Sequence, residues 1–528
     1  MSVIHQYQHT ITPRSIGSNS TSSDSTIPRT VLQSSGRPHR SSVPNVNIII
    51  AHLKLMKCFQ NLTQSIPKKD WTIFLRNSLR RFIWYVTLLK NKFKPRQRYS
   101  NEAAQLSNYK NLPLAKFCSH SISSQLPPID ILYVWYVLTS KTTSYYEMGA
   151  RNSFLEFSFL PFPLIPVASS LSMNSFQYCP DKRAVQKFMA FTDNNIPYHW
   201  NLSSLQTVPI ICPVCSQKLA GVYLKDIEGF SQLSSCRCKF QGQLCSSQLS
   251  KRQLYADLCS EKPLPFLYQT LSSHLFESET YDTTVEEIDI SLKEILATPN
   301  RIQELKLAST TIETFFNSVE EDLESMDDKD IAFKIIDRLG KYYTSSSTSM
   351  LNATIPASNP IQITEGWNIF ETRNELIEKI SSLKWLYNPQ LENVLLPKSI
   401  ARYGAFFHIL SDNYRCYSLV PLVDIDLVWQ THKLAVHSYM EHCKIKCHNN
   451  VIDAIYDTSK LASNFEYTCK LYKTVYHKEY SSCNCYYCFR AGRLIKQSQY
   501  SPKIAEFCTL LLPCFTISNC STTTIPSR

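Results

Sequence analysis

At 528 residues, with 43% hydrophobic and 19% charged side chains, the chain has enough apolar material for several cores and too little charge for wholesale disorder. Its formal charge of +12 is unevenly spread, and its 19 cysteines follow no apolar leader, so reduced thiols in the cytoplasm or nucleus are expected rather than a disulfide framework. The most apolar stretch, residues 153–171, carries Glu156, Pro161, Pro163 and Pro166, which excludes it as a membrane span.

Residues 1–45 are rich in Ser, Thr, Arg and Pro without hydrophobic period, and are expected to be a disordered tail. A helical unit is predicted over 46–205. Within it Trp71, Phe74, Leu75, Leu79, Phe82 and Ile83 keep helical spacing, with Arg76, Arg80 and Arg81 between them. Residues 51–100 hold twelve Lys/Arg and one acid, Asp70. The expectation is that the aromatics face the core and the bases face water; the alternative is a basic surface for RNA or acidic lipid. The proline-rich SFLPFPLIPVASS that follows reads as extended chain, and Ala184–Phe191 as helix.

A Cys-rich, zinc-ribbon-like β module is expected over 206–262. Cys212-x2-Cys215 is a good metal knuckle, and Cys236-x-Cys238 offers a second, irregular pair for which Cys245 is a substitute ligand. Four thiolates around structural zinc would replace the core that so short a segment cannot build. Further on, Cys483, Cys485 and Cys488 form a weaker metal candidate, with His477, Cys469 or Cys508 as a fourth ligand.

Residues 263–344 read as an acidic helical hairpin; from Phe276 to Asp330 sixteen acids face four bases. Pro299 suits a first-turn position. Leu305, Ala308, Ile312, Phe315 and Val319 repeat like a short coiled-coil seam, and Gly340 reads as the stop of the next helix. A linker is expected over 345–362, a second helical unit over 363–498 and a weakly ordered tail over 499–528.

The two helical units share a motif. Leu419–Cys443 reads LVPLVDIDLVWQTHKLAVHSYMEHC, and 294 positions earlier LPPIDILYVWYVLTSKTTSYYEM starts at Leu126. From Pro127 to Glu147, without a gap, eight of twenty-one positions are identical: Pro127/Pro421, Asp130/Asp424, Ile131/Ile425, Val134/Val428, Trp135/Trp429, Ser144/Ser438, Tyr145/Tyr439 and Glu147/Glu441. Average residue usage gives roughly one or two. Two helix-pair repeats are therefore expected, with Asp130 and Asp424 as N-caps and the tryptophans as core anchors. The fold class is mainly α.

PLVDIDLVWQTHKL resembles the signature of the glycine-rich domain-containing protein-like family of fungi and plants. DWTIFLRNSLRRFIW, PPIDILYVW, CPVC, IARYGAFFHIL and CNCYYC resemble fungal members in the same order. Two departures stand out: Gln430 occupies the place of a second family histidine, and 10 glycines in 528 residues make no glycine-rich segment. The resemblance implies a largely uncharacterised protein.

The chain carries no P-loop, nucleophile elbow or H-E-x-x-H pair. Related sequences bring a label of 2-oxoglutarate-dependent dioxygenase, which needs two histidines and a carboxylate on iron. The His-x-acid pair here is His477–Glu479, and no histidine follows it. Asp424, Asp426 and His432 are weak catalytic candidates; Leu138 takes the register of His432 in the first copy, which suits a packed histidine better. A non-enzymatic interaction or scaffold protein with an unidentified protein partner leads, ahead of an RNA binder using residues 51–100 and a metal-dependent enzyme.

Overall fold

The computed structural model describes residues 43–93, 125–200, 206–227, 229–233, 236–271, 280–345, 351–355, 360–364, 368–413, 419–447, 450–453 and 461–480. Residues 1–42 of the tail expected over 1–45, the tail expected over 499–528, and the cysteines 483, 485 and 488 lie outside them. The described chain is mainly helical, with one antiparallel two-stranded sheet, β1 (Thr207–Ile211) and β2 (Lys218–Tyr223). Among the described residues no helix is long and apolar enough to cross a membrane.

Helix α1 (Val46–Ser65) starts where the Asn45 side chain accepts from the Ile48 amide at 3.1 Å. It is followed by α2 (Trp71–Phe93), α3 (Ile129–Thr139) and α4 (Thr142–Arg151). Helix α3 is buried almost all round, because α2 covers one side and helices from the far end of the chain cover another. The proline-rich stretch is not extended. It forms two short helices, α5 (Leu155–Ser158) and α6 (Leu164–Ser169), with Pro163 preceding the first turn, where a missing amide costs nothing. Helix α7 (Lys182–Phe191) is capped by Asp181.

The three arginines of α2 do not face water, although Lys92 near its end does. Arg76, Arg80 and Arg81 are buried: Arg76 donates to the carbonyls of Leu224 and Lys225, Arg80 to that of Thr354, and Arg81 pairs with Asp130. Long stems let the guanidiniums cross the apolar face and find acceptors in neighbouring segments.

After the sheet come α8 (Ser246–Leu258), α9 (Leu267–Thr270), α10 (Thr280–Leu296), α11 (Pro299–Lys306), α12 (Ile312–Asn317), α13 (Glu320–Leu323) and α14 (Lys329–Ser345). The seam expected from Leu305 to Val319 is therefore broken. Thr311 and Thr314 cap each other at the start of α12, so a polar turn interrupts the apolar repeat. Gly340 lies inside α14 rather than ending it. The linker expected over 345–362 is also corrected where it is described: Leu351, Ala353, Thr354, Ile355 and Ile361 are buried, and Ala353 accepts from the Ile211 amide at 2.7 Å. The chain closes with α15 (Asn368–Ser382), α16 (Leu396–Asn413), α17 (Val423–Lys433), α18 (Val436–Lys446) and α19 (Leu461–Tyr476).

Packing is crosswise. α1 lies along α15 and touches α17, while α15 touches α3; α2 holds α3, and α16 holds α17. At the crossing His52 is fully buried, with Nδ1 2.7 Å from Thr431 Oγ1 and Nε2 3.0 Å from Tyr136 OH. Burial and the nearby Arg373 charge hold this imidazole well below its usual pKa, hence neutral.

Candidate metal centre and the buried signature residues

The sulfurs of Cys212, Cys215, Cys236 and Cys238 all lie within 4.8 Å of one another. Cys212 Sγ is 3.9 Å from both Cys236 Sγ and Cys238 Sγ. A tetrahedral ion with metal–sulfur bonds of roughly 2.3 Å needs sulfur–sulfur edges of roughly 3.8 Å, so the donor set fits a thiophilic divalent metal. Local backbone makes the first knuckle. Cys212 directly follows β1, the Cys212 amide donates to Gln217 O, Ser216 N–H returns to Cys212 O at 2.9 Å with φ 60°, and Val214 and Cys215 give their amides to the Cys212 sulfur. The irregular x1 pair works because Lys239, at φ 55°, turns back to Cys236 O at 3.1 Å. Cys245 is not part of the cluster; its sulfur is 3.1 Å from Ser247 Oγ at the start of α8.

Beside these sulfurs lies a residue that the spacing of cysteines did not reveal. Arg252, fully buried on α8, aims Nη1 at Cys236 Sγ (2.9 Å) and Cys212 Sγ (3.4 Å), with its guanidinium 4.7 Å from the Phe240 ring centre. Its Nε and Nη2 both donate to Gln248 Oε1.

The signature residues are interior. Trp135 donates its indole N–H to Tyr145 OH at 2.8 Å; Trp429 donates to Tyr439 OH at 2.9 Å. Each tyrosine passes its hydroxyl to a backbone carbonyl, Phe157 O and Ile452 O respectively. Asp130 and Asp424 are fully buried but are not N-caps. Their helices begin one residue earlier, and the carboxylates turn to Arg81 Nε (2.6 Å) and Arg402 Nε (2.9 Å). Asp130 also takes the backbone amides of Ile131 and of Asp130 itself, while the arginine supplies the opposite charge that a buried carboxylate needs.

The three weak catalytic candidates point to three different partners. Asp424 goes to Arg402, Asp426 accepts from Gln430 Nε2 at 3.0 Å, and His432 Nδ1 is 3.0 Å from Tyr403 OH. Gln430 in turn receives Arg373 at 2.7 Å, with that guanidinium 4.3 Å from the Tyr136 ring. His432 lies 5.1 Å from the ring of His442; burial and that neighbour hold it well below its ordinary pKa, and His442 itself falls to about 4 through burial and Lys446. Both imidazoles are neutral at pH 7. His477 has a left-handed backbone, φ 52°, and the Glu479 carboxylate is 2.6 Å from Lys473 Nζ.

The family model described as glycine-rich domain-containing protein-like matches residues 368–442, from the start of α15 into α18, and this part of the chain resembles that family. No curated protein and no solved structure matches the chain.

Proposed function

We propose that the chain is a non-enzymatic interaction or scaffold protein of the cytoplasm, built on a duplicated helical unit and stiffened by one structural zinc ion. The observation that carries the reading is the closed set of four cysteine sulfurs. Four protein ligands fill a tetrahedral shell and leave no position for a reacting molecule. None of the described cysteines is in a disulfide, which suits a reducing compartment.

Support for duplication extends beyond the signature. α1 and α2 align with α15 and α16 at an offset of 321 without a gap, and Asn47/Asn368, Ile48/Ile369, Leu55/Leu376, Leu62/Leu383, Leu75/Leu396, Ser78/Ser399, Arg81/Arg402 and Leu89/Leu410 are identical. His52 and Arg373 occupy equivalent places, and each reaches the signature helix of the other half. The family match begins and ends close to the limits of the second unit, α15 to α18. Arginines buried as structural ties are unavailable to phosphate, which weighs the basic stretch toward packing rather than RNA.

Elemental analysis of purified full-length protein tests the metal reading, with one zinc per chain and no iron expected. Iron accompanied by 2-oxoglutarate turnover overturns it. For the interaction reading, affinity capture after nuclease treatment at low and high salt is expected to retain the same proteins. Sequence-independent RNA retention that collapses as salt rises replaces it with the RNA-binding reading.

A further inference from the structure

Arg252 is a buried cation, and among the described residues its hydrogen-bond partners are Gln248 and the two sulfurs, with no carboxylate at ion-pairing distance. A lone guanidinium in an apolar interior is heavily penalised. Four neutral thiols would leave it so. Four thiolates around a divalent ion carry two negative charges, and Arg252 then neutralises one of them.

We propose that Arg252 is the built-in counter-ion of the four-cysteine centre, and that through it metal occupancy governs whether α8 stays docked against α11 and α12. This inference rests on the structural-metal reading above. Its mechanical side is a chain of named contacts. Gln248, which accepts twice from Arg252, donates through Nε2 to Gln241 O at 2.8 Å and Gly242 O at 3.0 Å, closing the loop that carries Cys236 and Cys238. Gln241 N–H continues to Lys306 O at the end of α11. That loop is tight at Gly242, whose φ of 88° suits glycine, and an added Cβ would meet Ala308 at 3.4 Å. The residue before Arg252 does the rest: Lys251 Nζ donates to Leu307 O at 2.7 Å and Thr310 O at 2.9 Å, the segment between α11 and α12. One helix therefore presents adjacent cations to the sulfurs and to two backbone carbonyls between α11 and α12. When the ion leaves and the sulfurs take up protons, the negative charge that makes burial of Arg252 tolerable is gone, and the same helix cannot withdraw Arg252 without pulling on Lys251.

The test uses the full-length protein in three forms, wild type, Arg252→Met and Arg252→Lys. Zinc affinity is measured by competition with a chromophoric chelator, melting temperature with and without zinc, and hydrogen exchange over residues 246–258 and 299–317 before and after chelation. Arg252→Met is expected to weaken zinc binding 10- to 100-fold, the range for loss of a residue supporting metal ligands. Its zinc-loaded form should melt below zinc-loaded wild type, and its metal-free form above metal-free wild type, because an unbalanced charge has gone. Arg252→Lys keeps the charge and should bind zinc within a few-fold of wild type. Chelation of wild type should speed exchange in both segments. Wild type without stoichiometric metal removes the metal reading itself. Wild type with one zinc, beside Arg252→Met of equal affinity and an equal melting gap, overturns the counter-ion assignment alone. Arg252→Lys as weak as Arg252→Met overturns it as well, and protection over 246–258 that ignores chelation overturns the coupling. Should Arg252→Met fail to fold, the lysine variant and wild-type exchange decide the matter.

Discussion

Lys433 donates to the Asp453 carboxylate at 3.0 Å, and that carboxylate also receives the amides of Thr142 and Thr143 at the start of α4. One buried acid thus joins the end of α17 to a helix whose Thr143 lies 310 residues before that acid in the chain. Burial on its own would raise its pKa; Lys433 and the Thr143 donors outweigh this and bring it down to about 2. A depressed folded pKa contributes stability that is present above the ordinary 3.8 and lost as pH falls through about 2. Asp453→Asn is expected to cost about 3 kcal/mol at pH 7, since it leaves a buried lysine without its counter-charge. It should also flatten the acid limb of stability below pH 4. Urea unfolding from pH 2 to 7 checks both; an unchanged acid limb refutes the assignment.

Glu147 behaves in the opposite sense. It is fully buried, its carboxylate accepts from the Phe266 amide, and burial pushes its pKa up to about 7 despite that donor and Arg151. A raised carboxyl pKa means the stability is full below its ordinary 4.5 and drains away as pH rises to about 7, because the unfolded chain ionises first. Glu147→Gln should be neutral near pH 4 and stabilising by up to about 3 kcal/mol at pH 8. A melting-temperature series for both proteins reads the difference.

If the two tryptophan–tyrosine pairs are equivalent ties, their energies match. Double-mutant cycles of Trp135→Phe with Tyr145→Phe, and of Trp429→Phe with Tyr439→Phe, should each return a coupling of about 1 kcal/mol. Chemical denaturation of the seven proteins measures it, and a coupling found in one cycle and absent from the other counts against duplicated units.

Cysteine substitutions separate ligand from bystander. Cys212→Ser or Cys238→Ser should abolish stoichiometric metal and lower the melting temperature, whereas Cys245→Ser should alter neither. Metal content after desalting is the readout. Loss of metal on Cys245→Ser would mean that the cluster has a different membership.

Much of the scaffold was legible in the sequence because its signals are local. Three- and four-residue spacing marks α2 and α17, and Cys212-x2-Cys215 marks the knuckle. What escaped is long-range pairing of charge. Asp130 and Asp424 carry a helix-start signature, yet their cations lie on preceding helices, 49 residues away for Arg81, and nothing in the local pattern says which arginine turns inward. Arg252 escaped for the same reason, since a lone arginine on a helix reads as solvated until the sulfurs are placed beside it. The broken seam between Leu305 and Val319 shows the converse, a repeat of apolar residues overruled by two threonines that prefer each other to a continuous helix.

His52 hydrogen-bonds a residue that is 379 positions later in the chain. During synthesis at about 5 to 20 residues per second, that imidazole leaves the ribosome roughly 20 to 80 seconds before its acceptor exists. For all that time the apolar flank of the first helix has no partner from the far half of the polypeptide. Nascent chains should therefore depend on chaperones that shield early hydrophobic helices, and a premature stop anywhere before Thr431 should leave an aggregation-prone fragment rather than a smaller working protein.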